Sequence, residues 1–326
     1  MKYVLLTLII GLSFVLKAQS IDTKKIGQSI DRAQLFLMHS QQPEGYFADS
    51  TNNLFNTWET VIVAKALLTV NDSNRERLEP TFNWLRSEEN ESGLICHNNR
   101  CRGGVCLETS ALYLQLLNQK GDTNSLRTRF GLLTKDQLVS GSWNILNPYV
   151  KGDRSYPSVP AFLLNTSTLT GIPINGRKKA IQFLHTQFSD SGFTANWEYY
   201  GTPAYTIWQA LNACREDSIL FEKMKIFVIE NQQEDGSWNF QDSLNSRPKI
   251  SSELETAFLL NALVQCQDPN LTPIIIKACD FLIRKQKNSG CWDGGRFPIE
   301  NPEYVKLEYL LCTSLVVESF SLLLKE

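Results

Sequence analysis

Six glycine-centred turns recur along this chain of 326 residues at nearly constant intervals. Successive glycines are 48, 48, 51, 44 and 54 residues apart. The turns read QQPEGYF, ENESGLI, LVSGSWN, SDSGFTA, QQEDGSWNF and KNSGCWD, around Gly45, Gly93, Gly141, Gly192, Gly236 and Gly290. A fixed period of about fifty residues is typical of repeat architectures, in which each unit buries its apolar face only against its neighbours.

Each turn lies between two helical segments of different character. The segment before it is amphipathic, as in IDRAQLFLMHSQQ, with apolar residues at three- and four-residue spacing. The segment after it, as in ETAFLLNALVQC, is richer in apolar and small residues and is expected to be more deeply buried. We therefore predict an all-α fold, an (α/α)6 toroid whose six helical hairpins form an outer and an inner ring. An open two-layer solenoid is the alternative, and the lack of distinct polar capping repeats favours closure.

The first residues have the pattern of a signal peptide, with Lys2, an apolar run from Tyr3 to Leu16, and Ala18 as a small residue for cleavage. The run is shorter than the roughly 20 residues of a membrane-spanning helix, although an uncleaved anchor is an alternative. We expect a signal peptide over 1–18, one toroid domain over 19–326, a periplasmic or secreted location, and no integral membrane segment after cleavage.

Charge argues against a nucleic-acid partner. The 32 Lys and Arg residues are balanced by 34 Asp and Glu residues, which gives a formal net charge of -2. Proteins that bind the phosphate backbone of DNA or RNA carry a basic excess. We expect no nucleic acid among the partners of this chain.

The turns QQEDGSWNF and KNSGCWDGG, with the helix SSELETAFLLNAL, resemble the QW repeats of squalene–hopene-type terpene cyclases and of protein prenyltransferase β subunits. The resemblance extends over all six units and implies the same toroid. It also implies a structural role for Gln233, Trp238 and Trp292, because the Gln and Trp of this repeat tie outer helices to their neighbours. Asp235 is explained by hydrogen bonding to nearby backbone within the turn.

The catalytic motifs of those families are absent from this sequence. It has no DxDD acid motif and no DDxxD magnesium-binding pair. Its three histidines, His39, His97 and His185, do not lie near the start of a late inner helix, so they do not complete a prenyltransferase zinc site. We therefore expect no metal and no cofactor.

If the ring closes, the starts of the inner helices converge on one mouth of a central cavity. Alignment of the units places four glutamates at matching positions in WET, LET, LET and LEY, namely Glu59, Glu108, Glu255 and Glu308. A glutamate in the first turn of a helix is favoured by the helix dipole, which is one explanation. The other is catalytic, since clustered carboxylates raise one another's pKa and supply a general acid or base.

Aromatic and basic residues are also predicted at this mouth. The expected ligand-binding aromatic residues are Trp58, Tyr156, Tyr200, Tyr205 and Tyr309. The expected ligand-binding cations are Arg102, Arg154, Arg247 and Lys306. Packing in the core explains the aromatic residues equally well, and a solvated face explains the cations, but their joint placement suits a ligand with an anionic group.

Three functions are consistent with these features, and whether the protein is an enzyme stays open. The first is a prenyltransferase- or terpene-cyclase-like protein that binds an isoprenoid-like ligand with an anionic head group in the central cavity. The second is a carbohydrate-active lyase or hydrolase acting on a glycan. The third is a non-catalytic module that binds a peptide. A fold does not decide among them.

The segment CHNNRCRGGVC holds three cysteines close together, Cys96, Cys101 and Cys106. An oxidising compartment lets disulfides persist, so we predict a local disulfide between two of these three. A zinc site that includes His97 is an alternative, but the segment lacks a CxxC pair. Free thiols are the remaining possibility.

Overall fold

The computed structural model describes residues 21–48, 56–71, 73–98, 104–147, 155–193, 200–240, 250–297 and 308–325. Thirteen α-helices lie within these ranges. The inner helices are α2 (Asn56–Val70), α5 (Leu107–Lys120), α7 (Ser158–Thr170), α9 (Ala204–Ala213), α11 (Ser252–Cys266) and α13 (Tyr309–Leu323). The others are α1 (Thr23–His39), α3 (Asn74–Arg77), α4 (Glu79–Ser87), α6 (Leu126–Thr134), α8 (Arg177–Gln187), α10 (Ser218–Glu230) and α12 (Thr272–Lys285), with a 3-10 turn at Pro269–Leu271. The predicted all-α class is confirmed.

Short strands appear only in loops of the described ranges. β1 (Val105–Cys106) pairs antiparallel with β2 (Leu146–Asn147), and Val105 lies opposite Asn147. β3 (Phe188–Ser189) pairs antiparallel with β4 (Gly192–Phe193) around one of the glycine turns. These two pairings fix loops against each other and form no larger sheet.

Burial separates the two sets of helices as the sequence predicts. Every residue of α2 from Asn56 to Thr69 is buried. In α1 only one stripe is buried, which includes Ile26, Ile30, Ala33 and Leu37. Their spacing of four, three and four residues places them on one helix face, so the opposite face of α1 is exposed to solvent. Within the described ranges, no helix is long and apolar enough to span a membrane.

The inner helices contact one another in the cyclic order α2, α5, α7, α9, α11, α13 and back to α2. Each outer helix packs on the inner helix of the preceding unit, and α1 packs on α13. The first and last units therefore meet as ordinary neighbours do. This arrangement confirms the closed ring over the open solenoid.

A ring of side-chain hydrogen bonds, which we call the polar ring, joins all six pairs of neighbouring inner helices. Its bonds join Thr69 to Gln119, Gln115 to Thr166, Asn165 to Gln209, Trp208 to Asn261, Asn261 to Ser319, and Lys65 to Glu318. Gln115 and Thr166 are each the ninth residue of their helix, and Lys65 and Glu318 are each the tenth. The helices of these two pairs thus run parallel and in register, whereas Trp208 and Asn261 are the fifth and tenth residues of theirs.

The six turn glycines lie where sequence analysis places them, between an outer and an inner helix, and all have positive φ angles, from 69° to 103°. At Gly290 a Cβ atom would overlap the backbone carbonyl of Arg32 in α1. Gly45, Gly141 and Gly236 meet the backbone of Pro80, Lys179 and Lys277 in the same way. Glycine is required there both for its conformation and for close approach to the next outer helix.

A glutamine amide reinforces this contact, but it is not the residue predicted. Nε2 of Gln232 donates to the carbonyl of Gly236 in its own turn and to Ile274 in the next outer helix, at 3.1 and 2.9 Å. Gln286 makes the equivalent bonds to Gly290 and to Ser29. The amide of Gln233, by contrast, donates to the carbonyl of Asn231, two residues before it, at 3.3 Å. The structural role expected of Gln233 belongs to Gln232, because the Gln232 amide is the one that bonds to the next outer helix.

The turn tryptophans are buried beside these glutamines. Trp238 and Trp292 are fully buried, and their Nε1 atoms donate to the carbonyls of Val228 and Leu282 at 2.7 and 2.6 Å. Each side chain therefore fastens a turn to the end of the outer helix that precedes it. Asp235 accepts hydrogen bonds from the backbone and hydroxyl of the residue two positions on, as expected of an Asx turn.

Candidate functional site

Five aromatic side chains meet near the N-terminal ends of the inner helices. They are Trp58, Tyr200, Tyr205, Phe258 and Phe297, and we call them the aromatic cluster. The Phe297 ring is central, with centroids of Tyr205, Tyr200, Phe258 and Trp58 at 5.3, 5.5, 5.7 and 6.2 Å. Offset and edge-on contacts at such distances stabilise aromatic pairs. The exposed fraction of each side chain is 6% or less, so the rings fill the space that they enclose.

Further aromatic residues extend this cluster. Phe162 and Trp208 contact Tyr205 at 5.3 and 6.0 Å between centroids. Tyr156 meets Tyr200 edge-on at 6.2 Å and is only partly buried. The interior is therefore aromatic near the helix N-termini, whereas the polar ring lies further along the same helices.

Glu108 is a carboxylate in contact with the aromatic cluster. Its Oε2 accepts hydrogen bonds from the phenols of Tyr200 and Tyr205, at 2.6 and 2.9 Å. The residue is 3% exposed, so these phenols offset part of the cost of burying it. Burial, and then the charge of Glu108, raise the pKa of Tyr205 well above its ordinary value. Tyr205 is consequently a neutral hydrogen-bond donor at physiological pH.

The cysteine-rich loop leads into this site. Cys96 is disulfide-bonded, and Cys106 is a free, buried thiol. Cys101 lies outside the described residues. Burial, and then the charge of Glu108, raise the pKa of Cys106 to about 12, so it is not a thiolate at neutral pH. The carbonyl of His97 accepts a hydrogen bond from the backbone N–H of Trp58, which ties the loop to the aromatic cluster.

The four glutamates do not occupy equivalent positions. In four units, a hydroxyl of the inner helix accepts a hydrogen bond from the backbone N–H of the second residue after the turn glycine. This shared bond allows positions in the different units to be aligned by structure. These hydroxyls belong to Thr60, Ser110, Thr256 and Thr313. Glu59 and Glu255 directly precede theirs, whereas Glu108 lies two residues and Glu308 five residues before. Only Glu59 and Glu255 therefore occupy equivalent positions in this alignment.

Glu255 holds the loop that follows its own turn. Its Oε2 accepts the backbone N–H of Phe240 at 2.9 Å, and the residue is fully buried. Burial raises the pKa of Glu255 to about 7, against the opposing effects of the Thr202 hydroxyl and the Phe240 N–H. Its Oε1 has no hydrogen-bond partner among the described residues. A carboxyl group with this pKa exchanges a proton near neutrality, which is the property of a general acid or base.

The last two predicted residues of the helix mouth lie near the last turn. Glu308 is buried, and its backbone N–H donates to the carbonyl of Gly295 at 3.0 Å. Tyr309 packs beneath the ammonium of Lys287, 4.6 Å from its ring centroid. Its ring therefore lies beside the last turn, whereas the predicted residues Trp58, Tyr200 and Tyr205 belong to the aromatic cluster. A catalytic role for the four glutamates stays a prediction.

The predicted cations Arg102, Arg154, Arg247 and Lys306 lie outside the described residues. Two aromatic residues of the cluster, Phe258 and Phe297, were not predicted from the sequence. Phe258 is an ordinary core residue of an apolar helix, and Phe297 belongs to a short apolar stretch, FPI, in a loop. Neither gives a periodic signal. Among described residues, no group of three or more His, Cys, Asp or Glu side chains is placed to hold a metal ion.

Two cavities lined by described residues lie away from the aromatic cluster. One, of about 750 Å³, lies where the start of α1 meets α11 and α12, and it is lined by Ile21, Leu263 and Ile276 among others. The other, of about 220 Å³, lies beside Trp143 and Leu146. Neither contains a glutamate or a tyrosine of the predicted site.

Comparison with solved structures identifies the fold. A variant of the type II terpene cyclase MstE from Scytonema, in complex with geranylgeranyl dihydroxybenzoate, superimposes with a TM-score of 0.71 at 16% identity, over 92% of this chain and 97% of that one. The ent-copalyl diphosphate synthase from Streptomyces platensis gives 0.59 at 13% identity, over 82% of this chain and 50% of its own. A glycosidase gives 0.58 at 9% identity, over 91% and 96% of the two chains.

No family model matches the sequence, and no curated protein matches it either. The identities to the solved structures are low, so the likeness shows the fold and leaves the chemistry to the site. The chain has the α/α toroid of the type II terpene cyclases.

Proposed function

We propose that the protein binds an isoprenoid-like ligand with an anionic head group, and that its hydrocarbon part lies against the aromatic cluster. The observation that carries the proposal is the concentration of aromatic rings at the N-terminal end of the inner ring. Apolar and aromatic walls with few polar groups are typical of pockets for apolar small molecules. On the same fold, MstE variants hold geranylgeranyl dihydroxybenzoate as substrate and merosterolic acid A as product.

Charge determines which end of the ligand lies inside. Glu108 is in contact with the aromatic cluster, and Glu255 and Glu308 are buried near other inner-helix starts. An anion placed among them would be repelled, whereas a hydrocarbon would not. In the sequence, the cations Arg102, Arg154, Arg247 and Lys306 belong to the loops that lead into inner helices. We propose that these loops bind the anionic head group.

Export is part of the proposal. The pattern over residues 1–18 supports cleavage of a signal peptide and a periplasmic or secreted location. An exported toroid would meet its ligand outside the cytoplasm. N-terminal sequencing of protein recovered from culture medium or periplasm tests this, and a protein that keeps Met1 and stays in the cytoplasmic fraction contradicts it.

The binding proposal is tested with farnesyl diphosphate, geranylgeranyl diphosphate and farnesol. Quenching of tryptophan fluorescence or calorimetry on the exported chain should show saturable binding of the diphosphates. Because the head group is expected to bind cations, farnesol should bind at least tenfold more weakly, and the difference should shrink as salt rises. Equal affinity for farnesol and farnesyl diphosphate overturns the head-group assignment, and no saturable binding of any of them overturns the isoprenoid ligand.

A pair of variants locates the binding site. Trp58→Ala removes a ring of the aromatic cluster and should weaken diphosphate binding by about tenfold or more. Trp84→Ala is the control, since Trp84 is partly buried on α4 and pairs with Tyr46 at 5.2 Å. It should leave the affinity unchanged. Equal losses for the two variants would show that binding does not involve the aromatic cluster.

A further inference from the structure

Phe297 is one of two members of the aromatic cluster, with Tyr200, that lie in loops rather than in inner helices. Trp58, Tyr205 and Phe258 are residues of inner helices, whereas Phe297 belongs to the loop between the last glycine turn and α13. Despite this, its exposed fraction is only 2%, and its ring touches four aromatic neighbours. Three rings from inner helices and the ring of Tyr200 thus surround Phe297, which fills the space between them.

The backbone around Phe297 is held in place by several hydrogen bonds. Gly295 forms a bridge with Ile250, its N–H donates to Oδ1 of Asp293 at 3.0 Å, and its carbonyl accepts the N–H of Glu308 at 3.0 Å. These bonds join the loop to the starts of α11 and α13. The backbone just before Phe297 is therefore held between the starts of two neighbouring inner helices.

We propose that Phe297 is the residue that sets the length of hydrocarbon the site accepts. This inference rests on the proposed isoprenoid function. The ring occupies the middle of the aromatic cluster, so a hydrocarbon that lies against the cluster competes with this ring for space. Removing a phenyl ring from a packed interior leaves a cavity about the size of one isoprene unit. Truncation of Phe297 should therefore admit a prenyl chain one unit longer.

The test measures dissociation constants for geranyl, farnesyl and geranylgeranyl diphosphate with the full chain and its variants. In Phe297→Ala, the affinity for geranylgeranyl diphosphate relative to that for farnesyl diphosphate should rise by about tenfold over the unaltered protein. Phe297→Leu, which removes less volume, should shift the ratio in the same direction by less. Phe297→Trp, which adds volume, should shift it toward the shorter chain.

Phe82→Ala is the matched control. Phe82 has the same exposed fraction of 2%, but it lies on the outer helix α4, below the ammonium of Lys120. Its truncation removes the same ring and should leave the chain-length preference unchanged. Binding with an unaltered preference in all three Phe297 variants overturns this inference and leaves the proposed function intact. Absence of binding in every variant and in the unaltered protein overturns the proposed function itself.

Discussion

The phenol of Tyr205 on α9 donates a 2.9 Å hydrogen bond to Glu108 on α5, two inner helices that are separated in the ring by α7. This bond therefore crosses the interior instead of following the ring. Tyr200 adds a second bond to the same oxygen. Together they connect the second and fourth units of the chain at the aromatic cluster.

Loss of the Tyr205 hydroxyl should destabilise the protein. Tyr205→Phe keeps the ring but leaves Glu108 with one fewer donor, and a hydrogen bond to a charged group contributes about 1.5–3 kcal/mol. Urea unfolding should show a loss in this range. Tyr309→Phe, near the surface beside Lys287, should cost less than about 0.5 kcal/mol. Equal losses in the free energy of unfolding for the two substitutions would mean that the hydrogen bond to Glu108 contributes no more to stability than a contact near the surface.

Ring closure depends on the close approach of Gly290 to Arg32. Gly290→Ala places a Cβ against the Arg32 carbonyl and also strains a residue whose φ is 93°. Gly121→Ala is the control, because its φ is 83° but a Cβ there meets nothing within 4 Å. The free energy of unfolding of the control should fall by about 1–2 kcal/mol from strain alone. That of Gly290→Ala should fall by clearly more. Similar losses of stability for the two variants in thermal unfolding would show that the contact between the last turn and α1 tolerates the methyl group.

The turn tryptophans should prove structural rather than ligand-binding. Trp238→Ala or Trp292→Ala removes a fully buried ring together with its bond to the preceding outer helix, which costs about 3–5 kcal/mol. Folded protein that survives should bind prenyl diphosphates as before. A variant that keeps its melting temperature but loses binding would reverse the assignment.

Two buried groups are expected to give opposite pH dependences. The pKa of Glu255 is raised from 4.5 to about 7, so the folded state holds its proton more tightly and stability falls as pH rises between these values. Burial lowers the pKa of His97 from 6.5 to about 4, so its contribution rises with pH between 4 and 6.5. The two effects oppose each other between about pH 4.5 and 6.5. The stability of the unaltered protein should therefore change little with pH in this window.

Single substitutions separate the two effects. Glu255→Gln keeps an acceptor for the Phe240 N–H without the charge, and it should be more stable than the unaltered protein at pH 8 by on the order of 3 kcal/mol. The gain should vanish below pH 4.5. His97→Gln should remove the rise between pH 4 and 6.5. Unfolding curves across pH 4–8 provide the measurement, and a Glu255→Gln difference that does not change with pH contradicts the raised pKa.

Local signals predicted the architecture well, because the same turn and the same two kinds of helix recur in every unit. The turn glycines and the two kinds of helix follow from the period and from apolar spacing, and the number of units and the lack of polar capping repeats favoured the closed ring. Errors arose where the exact residue position matters. Gln232 rather than Gln233 reaches the next outer helix, and the four glutamates fall into three registers relative to the hydroxyl that holds each turn.

The site was predicted only in part, since its members converge from separate units. Trp58, Tyr200, Tyr205 and Glu108 were expected near the helix mouth and do lie together. Phe297 carries no local signal, because a short apolar stretch in a loop is ordinary. Its role depends on three inner helices that surround it, and their distances are not encoded in any short segment.

The polar ring leads to a last prediction about the seam between the first and last inner helices. Lys65 of α2 and Glu318 of α13 form a 2.5 Å ion pair whose side chains are 9% and 8% exposed. Removing one partner leaves a buried, uncompensated charge, so Lys65→Met should cost about 3–5 kcal/mol. Lys65→Met combined with Glu318→Leu removes both charges and should recover most of that loss, because paired burial gives little net stability. Arg86→Met, which breaks the exposed pair with Asp122, should cost less than about 1 kcal/mol. A double variant as unstable as the single one in urea unfolding would show that the pair itself, rather than an unpaired charge, holds the seam together.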